Sequence, residues 1–129
     1  MSIEIKGLDR LYKKLGAVAA IDRLEKPMQR AVLRLQRRMQ EYPPAPSRSR
    51  YIRTGTLGRR WTTRVERSGN GLVGKVGNVT RYGPLVQSSR FQTRIHKRTG
   101  WLTDERAVRE EQAAIVADFA REIDRALAE

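Results

Sequence analysis

Three prolines in four residues, Pro43-Pro44-Ala45-Pro46, place the firmest limit on how this chain can fold. No helix continues through them, because each lacks a backbone donor and its ring clashes with the preceding turn. The residues before them are helical by pattern. Met28, Val32, Leu35, Met39 and Tyr42 follow at spacings of four, three, four and three and form one apolar stripe. Pro27 fits a first-turn position of that helix. Arg30, Arg34 and Arg37 run along another face, with Arg38 beside them, and Pro43 to Arg53 follows as a stiff basic loop containing Arg48, Arg50 and Arg53.

Shorter elements flank this helix. Ser2 to Lys6 alternates, with Ile3 and Ile5 on one side and Glu4 and Lys6 on the other, which predicts a strand ended by Gly7. Leu8, Leu11 and Leu15 fall at helical spacing before Gly16, a C-terminal stop. Thr54 or Thr56 is a candidate cap for a turn of helix around Leu57. Trp61, Thr63 and Val65 alternate with Thr62, Arg64 and Glu66 as a strand. Ser68-Gly69-Asn70-Gly71 supplies a hairpin turn, and Leu72 to Val79 is the return strand, with Gly74 and Gly77 permitting twist or a close neighbour. Tyr82 to Gln87 predicts one helical turn with Pro84 near its start. Ser88 to Gly100 shows no period and is expected to be an exposed loop.

The last element is the longest. Thr103 is positioned to cap a helix reaching about Ala128, with Asp104 and Glu105 in its first turn favourable to the helix dipole. Its expected buried stripe is Val108, Ile115, Phe119, Ile123 and Leu127, widened by Val116 and Ala126. The fold class that results is α+β. A small antiparallel sheet, made of the N-terminal strand and a central hairpin, packs against two long helices. The 129 residues form a single domain with protruding loops at 43–53 and 88–100.

Charge and composition narrow the function. The chain holds 27 Lys and Arg against 14 Asp and Glu. Residues 1–100 carry 23 bases and six acids, a net of +17, and residues 101–129 carry four bases and eight acids, a net of −4. Such a bipolar chain attracts polyanions, or docks head to tail with copies of itself. With no cysteine there are no disulfides or thiolate metal sites, and no apolar run approaches the ~18 residues of a membrane span. The N-terminus lacks the pattern of a secretory signal, so the protein is expected to be soluble and made in the cytoplasm.

Catalysis is not expected. His96 is the single histidine and lies in a basic loop without an acid near it in sequence. Gly69, Gly71, Gly74 and Gly77 read as hairpin glycines rather than a phosphate-binding loop. No metal or other cofactor is implied. The residues that stand out are aromatic or basic, and no acid occurs from Ser68 to Thr103. Tyr51, Arg53, Trp61, Tyr82, Phe91, His96 and Trp101 are candidate subunit or partner contacts, because aromatics and arginines dominate interface energies. Trp61 is equally a core candidate. Arg30, Arg34, Arg37, Arg59, Arg60 and Arg64 are candidate DNA-facing residues.

The order of elements resembles a known family. A short strand ending in Gly7-Leu8-Asp9-Arg10-Leu11 leads to a long helix and a proline-rich break. Arg53-Thr54-Gly55-Thr56-Leu57, a hairpin, and Asn78…Tyr82-Gly83-Pro84-Leu85-Val86-Gln87 follow. This resembles the tail-completion, or minor tail component, family of long-tailed bacteriophages, part of the head–tail joining machinery. Thr54, Gly55 and Leu57 match that family's Thr-Gly-x-Leu element. Tyr82 and Val86 match a second element, with Gly83 where alanine is usual and Gln87 where an acid is common.

The resemblance implies a structural virion protein of the neck, with no catalytic residues to carry over. It implies a ring of six or twelve copies that completes the tail or joins it to the head and lets DNA pass. Its partners would be itself, neighbouring connector proteins and the tail tube or terminator proteins, with non-specific contact to genomic duplex DNA and none to membrane. The host cytoplasm is the place of synthesis and the virion neck the destination. The loops at 43–53 and 88–100 are expected to order on neighbours by strand addition or clamping. The alternative from a different class is a small basic DNA-binding or packaging accessory. An enzyme acting on nucleic acid or cell wall is a third, which the lack of paired acids or an activated nucleophile disfavours.

Overall fold

A computed structural model describes residues 1–5, 8–45, 53–68 and 71–129, and of Ser68 the backbone alone. The elements are β1 (Ser2–Glu4), α1 (Asp9–Leu15), α2 (Ala17–Met39), α3 (Thr56–Arg59), β2 (Trp61–Ser68), β3 (Gly71–Asn78), α4 (Gly83–Gln87), α5 (Arg94–Thr99) and α6 (Asp104–Ala128). The fold is α+β, with a three-stranded antiparallel sheet and two long helices. Tyr51, Arg48, Arg50, Gly7 and the Gly69-Asn70 turn, all assigned roles from the sequence, lie outside the described residues.

The strand order is β1-β3-β2. β3 is central because it pairs on both edges, Ile3 with Gly74 on one side and Val65 with Gly74 on the other. Ser68 pairs with Gly71, the register of a two-residue hairpin connection. Alternation along β3 buries Leu72, Gly74 and Val76 on one face and leaves Lys75 and Gly77 exposed. The charged N-terminus donates to the Val76 carbonyl at 2.9 Å and so extends the β1 pairing by one residue.

The sheet lays its buried face on α2, and α6 packs on α2 from the other side. This makes α2 the centre of the molecule, which is why it buries Ala20, Ile21, Leu24, Met28, Ala31, Val32, Leu35 and Met39. Gly74 permits the close approach of helix to sheet: a Cβ there would lie 2.6 Å from both Met28 Sδ and Val32 Cγ1. The apolar stripe expected on Met28–Tyr42 is therefore core from Met28 to Met39, whereas Tyr42 lies beyond the end of α2 and is half-buried.

Three expectations need correction. Pro27 does not open α2; it sits inside a helix that begins at Ala17, and it is buried. An interior proline costs about 3 kcal/mol through its lost donor and its ring clash, a cost offset here by burying one continuous stripe from Ala20 onward. On α6, Val108 and Val116 are exposed, and Ala107 takes the core position beside Ile115, Phe119 and Ala126. The 88–100 segment is no protruding loop. It folds back on α4, with Thr93 N donating to the Leu85 carbonyl at 2.9 Å and Gln92 Nε2 to the carbonyls of Val86 and Trp101 at 2.8 and 3.0 Å, and its second half is α5.

The sequence is right about two further ends and wrong about the start of α3. Gly16 closes α1, donating to the Tyr12 carbonyl at 2.8 Å, and α2 starts at the next residue. Thr103 Oγ1 accepts from Arg106 N at 3.3 Å and caps α6, with Asp104 and Glu105 in the first turn. Gly55, at φ +78, rather than a threonine, occupies the N-cap of α3.

Candidate interaction surface

The chemistry of the surface is decided first by which charges neutralise one another. α2 and α6 run antiparallel, and their facing sides carry a ladder of arginine–carboxylate pairs. Arg23 meets Glu122 and Glu129, Arg30 meets Asp118, Arg34 meets Glu111, and Arg38 meets Glu110 and Glu111. Arg30 holds the Asp118 carboxyl below its ordinary pKa by hydrogen bonding, and Arg106, with Arg38 adding to it, does the same for Glu110. The acids of α6 are thus largely engaged within their own chain. This corrects the idea that they form a free patch for the basic body of a second copy.

The same pairing redistributes the candidate DNA-facing residues. Arg30 and Arg34 are held by α6, and Arg64 pairs with Glu66 at 2.7 Å. Arg59 donates through Nη1 to the Thr54 carbonyl at 3.0 Å. Arg37 and Arg60 are exposed and make no ion pair among the described residues. Neither do Arg81, Arg90, Arg94, Lys97 and Arg98, so the densest free positive charge lies on the α4–α5 side rather than on α2.

The second feature is a cleft of about 530 Å³ between α3, α4, α5 and the C-terminal end of α2. Its floor is an aromatic–guanidinium stack. Tyr42 and Trp101 pack edge to face with centroids 4.8 Å apart, and the Arg53 guanidinium lies 5.1 Å from the Trp101 ring centre and 5.7 Å from that of Tyr42. Arg53 also donates to the Pro43 carbonyl, which ties together the two described ends of the 43–53 segment. The Tyr42 hydroxyl accepts from Gly58 N at 2.9 Å and anchors α3 to the end of α2.

Two further polar contacts hold the walls. Asn78 Nδ2 donates to the Leu57 carbonyl at 2.8 Å and fixes α3 against the end of β3. Gln87, buried on α4, donates through Nε2 to the Met39 carbonyl at 3.0 Å and so satisfies one of the orphan acceptors at the C-terminus of α2. Gly55 lies under Arg59: a Cβ there would sit 2.9 Å from Arg59 Nη1, and its positive φ already favours glycine.

Of the seven candidate contact residues, Arg53, Tyr82, His96 and Trp101 converge on this cleft. Trp61 and Phe91 do not. Trp61 is half-buried in β2 against the core, and its carbonyl accepts from Gln36 Nε2 at 3.0 Å. Phe91 is exposed beneath the Arg90 guanidinium, 5.2 Å from its ring centre. His96 Nδ1 shares a hydrogen with Thr93 Oγ1 at 2.6 Å. Sequence reasoning missed Tyr42, Leu85 and Ile95 as parts of this surface. Tyr42 was assigned to the core stripe, Leu85 lies in the single helical turn expected at Tyr82 to Gln87, and Ile95 lies in the segment without a period.

Among the described residues no group of three or more His, Asp or Glu side chains converges as a metal site would need, and no helix is long and apolar enough to cross a membrane. Comparison with protein-family models, with curated proteins and with solved structures finds no match.

Proposed function

We propose that this chain is a structural subunit of the head–tail connector, or neck, of a long-tailed bacteriophage. It assembles with copies of itself into a ring of six or twelve that completes the tail or joins it to the head and lets DNA pass. In this reading it performs no catalysis. One observation carries it. Thr54, Gly55 and Leu57 and the pair Tyr82 and Val86, the two separated elements on which the family resemblance rests, line one and the same cleft. Residues brought together in this way point to a shared structural role for both elements.

A ring needs a heterologous contact between two different patches of each subunit. The exposed Val18 and Leu33 on α2, with Val108 and Val116 on α6, offer apolar surface for one side of it. Native mass measurement and electron microscopy of the full chain, alone and co-expressed with the products of the adjacent genes, test the proposal. Rings of six or twelve subunits are expected. A chain that stays monomeric in both settings removes it.

A second reading has its own observation, the five cations from Arg81 to Arg98 that make no ion pair among the described residues. A DNA-binding accessory that neutralises about six phosphates would show log affinity falling with log salt at a slope near −5. A flat salt response rejects that reading.

A further inference from the structure

We infer that the cleft between α3, α4 and α5 is a docking site for an acidic, apolar-anchored peptide segment of a different protein. This rests on the connector reading and names the chemistry of one partner.

The margin of the cleft is apolar and open. Tyr82, Leu85 and Ile95 are 43%, 48% and 68% exposed, and all three line it. Aliphatic and aromatic side chains of this size, grouped around a concavity of several hundred cubic ångströms, are the usual mark of a site for another molecule. A polyanion such as duplex DNA gains nothing from Leu85 or Ile95, since it is held through its phosphates. A polypeptide with two or three apolar anchors gains from both.

Charge selects which polypeptide. Among the described residues no lining residue is acidic, and the wall contains the Arg53 guanidinium. α5 turns Ile95, His96 and Thr99 toward the cleft and leaves Arg94, Lys97 and Arg98 outside its lining, and Arg81, the exposed residue before Tyr82, adds a further positive charge. The occupant therefore approaches through a field of one sign, which accelerates and orients an acidic segment and repels a basic one. A second copy of this chain is a poor occupant. It carries a net charge of +13, and most acids of its α6 are already paired with its own α2.

The test is selection of a random peptide library displayed on ribosomes, panned on the purified full chain with the Ile95→Glu variant as counter-selection. Enriched peptides are then synthesised with a fluorophore, and their anisotropy is measured against wild type, Ile95→Glu and Leu85→Ser. Both positions are exposed, so circular dichroism should show the fold retained. The expected result is enrichment of peptides combining Asp or Glu with Leu, Phe or Trp, bound about tenfold more weakly by each variant. Added salt should weaken binding, and a charge-matched oligoglutamate should fail to compete.

Three results overturn the inference. One is no enrichment, or enrichment without acids. Another is oligoglutamate or a duplex oligonucleotide competing fully, with both variants binding as well as wild type, which makes the surface a polyanion site. The third is loss of self-assembly in Ile95→Glu, which makes the cleft a contact between copies. Ring assembly is read on the same variants, so a failed ring with a functional cleft, or the reverse, tells the two proposals apart.

Discussion

Arg30 and Asp118 meet at two points across the seam between the long helices, with Nε 2.8 Å from Oδ2 and Nη2 3.1 Å from Oδ1. The pair is one rung of a ladder that turns the charge asymmetry of this chain inward. The basic helix and the acidic helix are neighbours in one molecule, and the positive charge left over is concentrated elsewhere, around α4 and α5.

The ladder makes stability depend on acid. Asp118 has its pKa lowered by the Arg30 hydrogen bond. A carboxylate depressed in the folded state contributes stability above its unfolded pKa, about 3.9, and the contribution is lost as pH falls through the folded value. Urea unfolding at a series of pH values should show wild type weakening below about pH 4. Asp118→Asn should be less stable by roughly 0.5–1 kcal/mol at neutral pH, the range for a largely solvent-screened pair, and should weaken less on acidification. Parallel pH curves for the two proteins would contradict this.

Gly74 and Gly77 separate close packing from open space on one strand. A methyl group at Gly74 meets Met28 and Val32 at 2.6 Å, whereas nothing lies within 4 Å of the same position at Gly77. Gly74→Ala should cost about 1–3 kcal/mol by overpacking, and Gly77→Ala should stay within about 0.5 kcal/mol of wild type. Thermal or urea unfolding of the two variants decides it, and equal effects would refute the packing argument.

Gln87 offers a test of a buried polar contact. Its Nε2 serves the Met39 carbonyl, while its Oε1 is buried without a partner among the described residues. Gln87→Leu leaves that carbonyl without its donor and should cost about 1–3 kcal/mol. Gln87→Glu should be tolerated only as the neutral acid, because burial opposes the charged form and the Met39 carbonyl needs a donor. Its folded pKa is then raised, so its extra penalty should be absent below the unfolded value of about 4.3 and grow as pH rises above it. Stability of Gln87→Glu that does not vary with pH relative to wild type would rule this out.

Arg53 should not be replaceable by lysine. Its planar guanidinium packs on Trp101 and Tyr42 while donating to Pro43, and an ammonium cannot reproduce that stacking. Arg53→Lys is expected to lose about 0.5–2 kcal/mol and to alter Trp101 fluorescence, observed in a Trp61→Phe background so that a single tryptophan reports. Unchanged emission and stability would show that the stack contributes nothing.

Much of the fold is written locally. The stripe from Met28 to Met39, the stop at Gly16, the cap at Thr103 and the alternation of Leu72, Gly74 and Val76 each need only neighbours a few residues away, and each is where its pattern places it. Two errors also have local causes. Pro27 looks like a helix start because proline favours first turns, although Ile21 and Leu24 carry the same stripe back through it. α5 escaped because six residues with one apolar member show no period; what ends it is Gly100, and what holds it is Thr93 and Gln92 bonded to α4.

By itself, then, the sequence determined most of the elements, the buried faces of α2 and β3 and the absence of acid from Ser68 to Thr103, since periodicity, capping and charge are properties of nearby residues. Only the tertiary structure decided which charges cancel and which residues share a cleft. An arginine on α2 and an aspartate 88 positions later neutralise each other only if the helices run side by side. Arg53, Tyr82 and Trp101 form one surface only because α3, α4 and the end of α2 are bonded into it. Those relations depend on distance in space, which no spacing along the chain encodes.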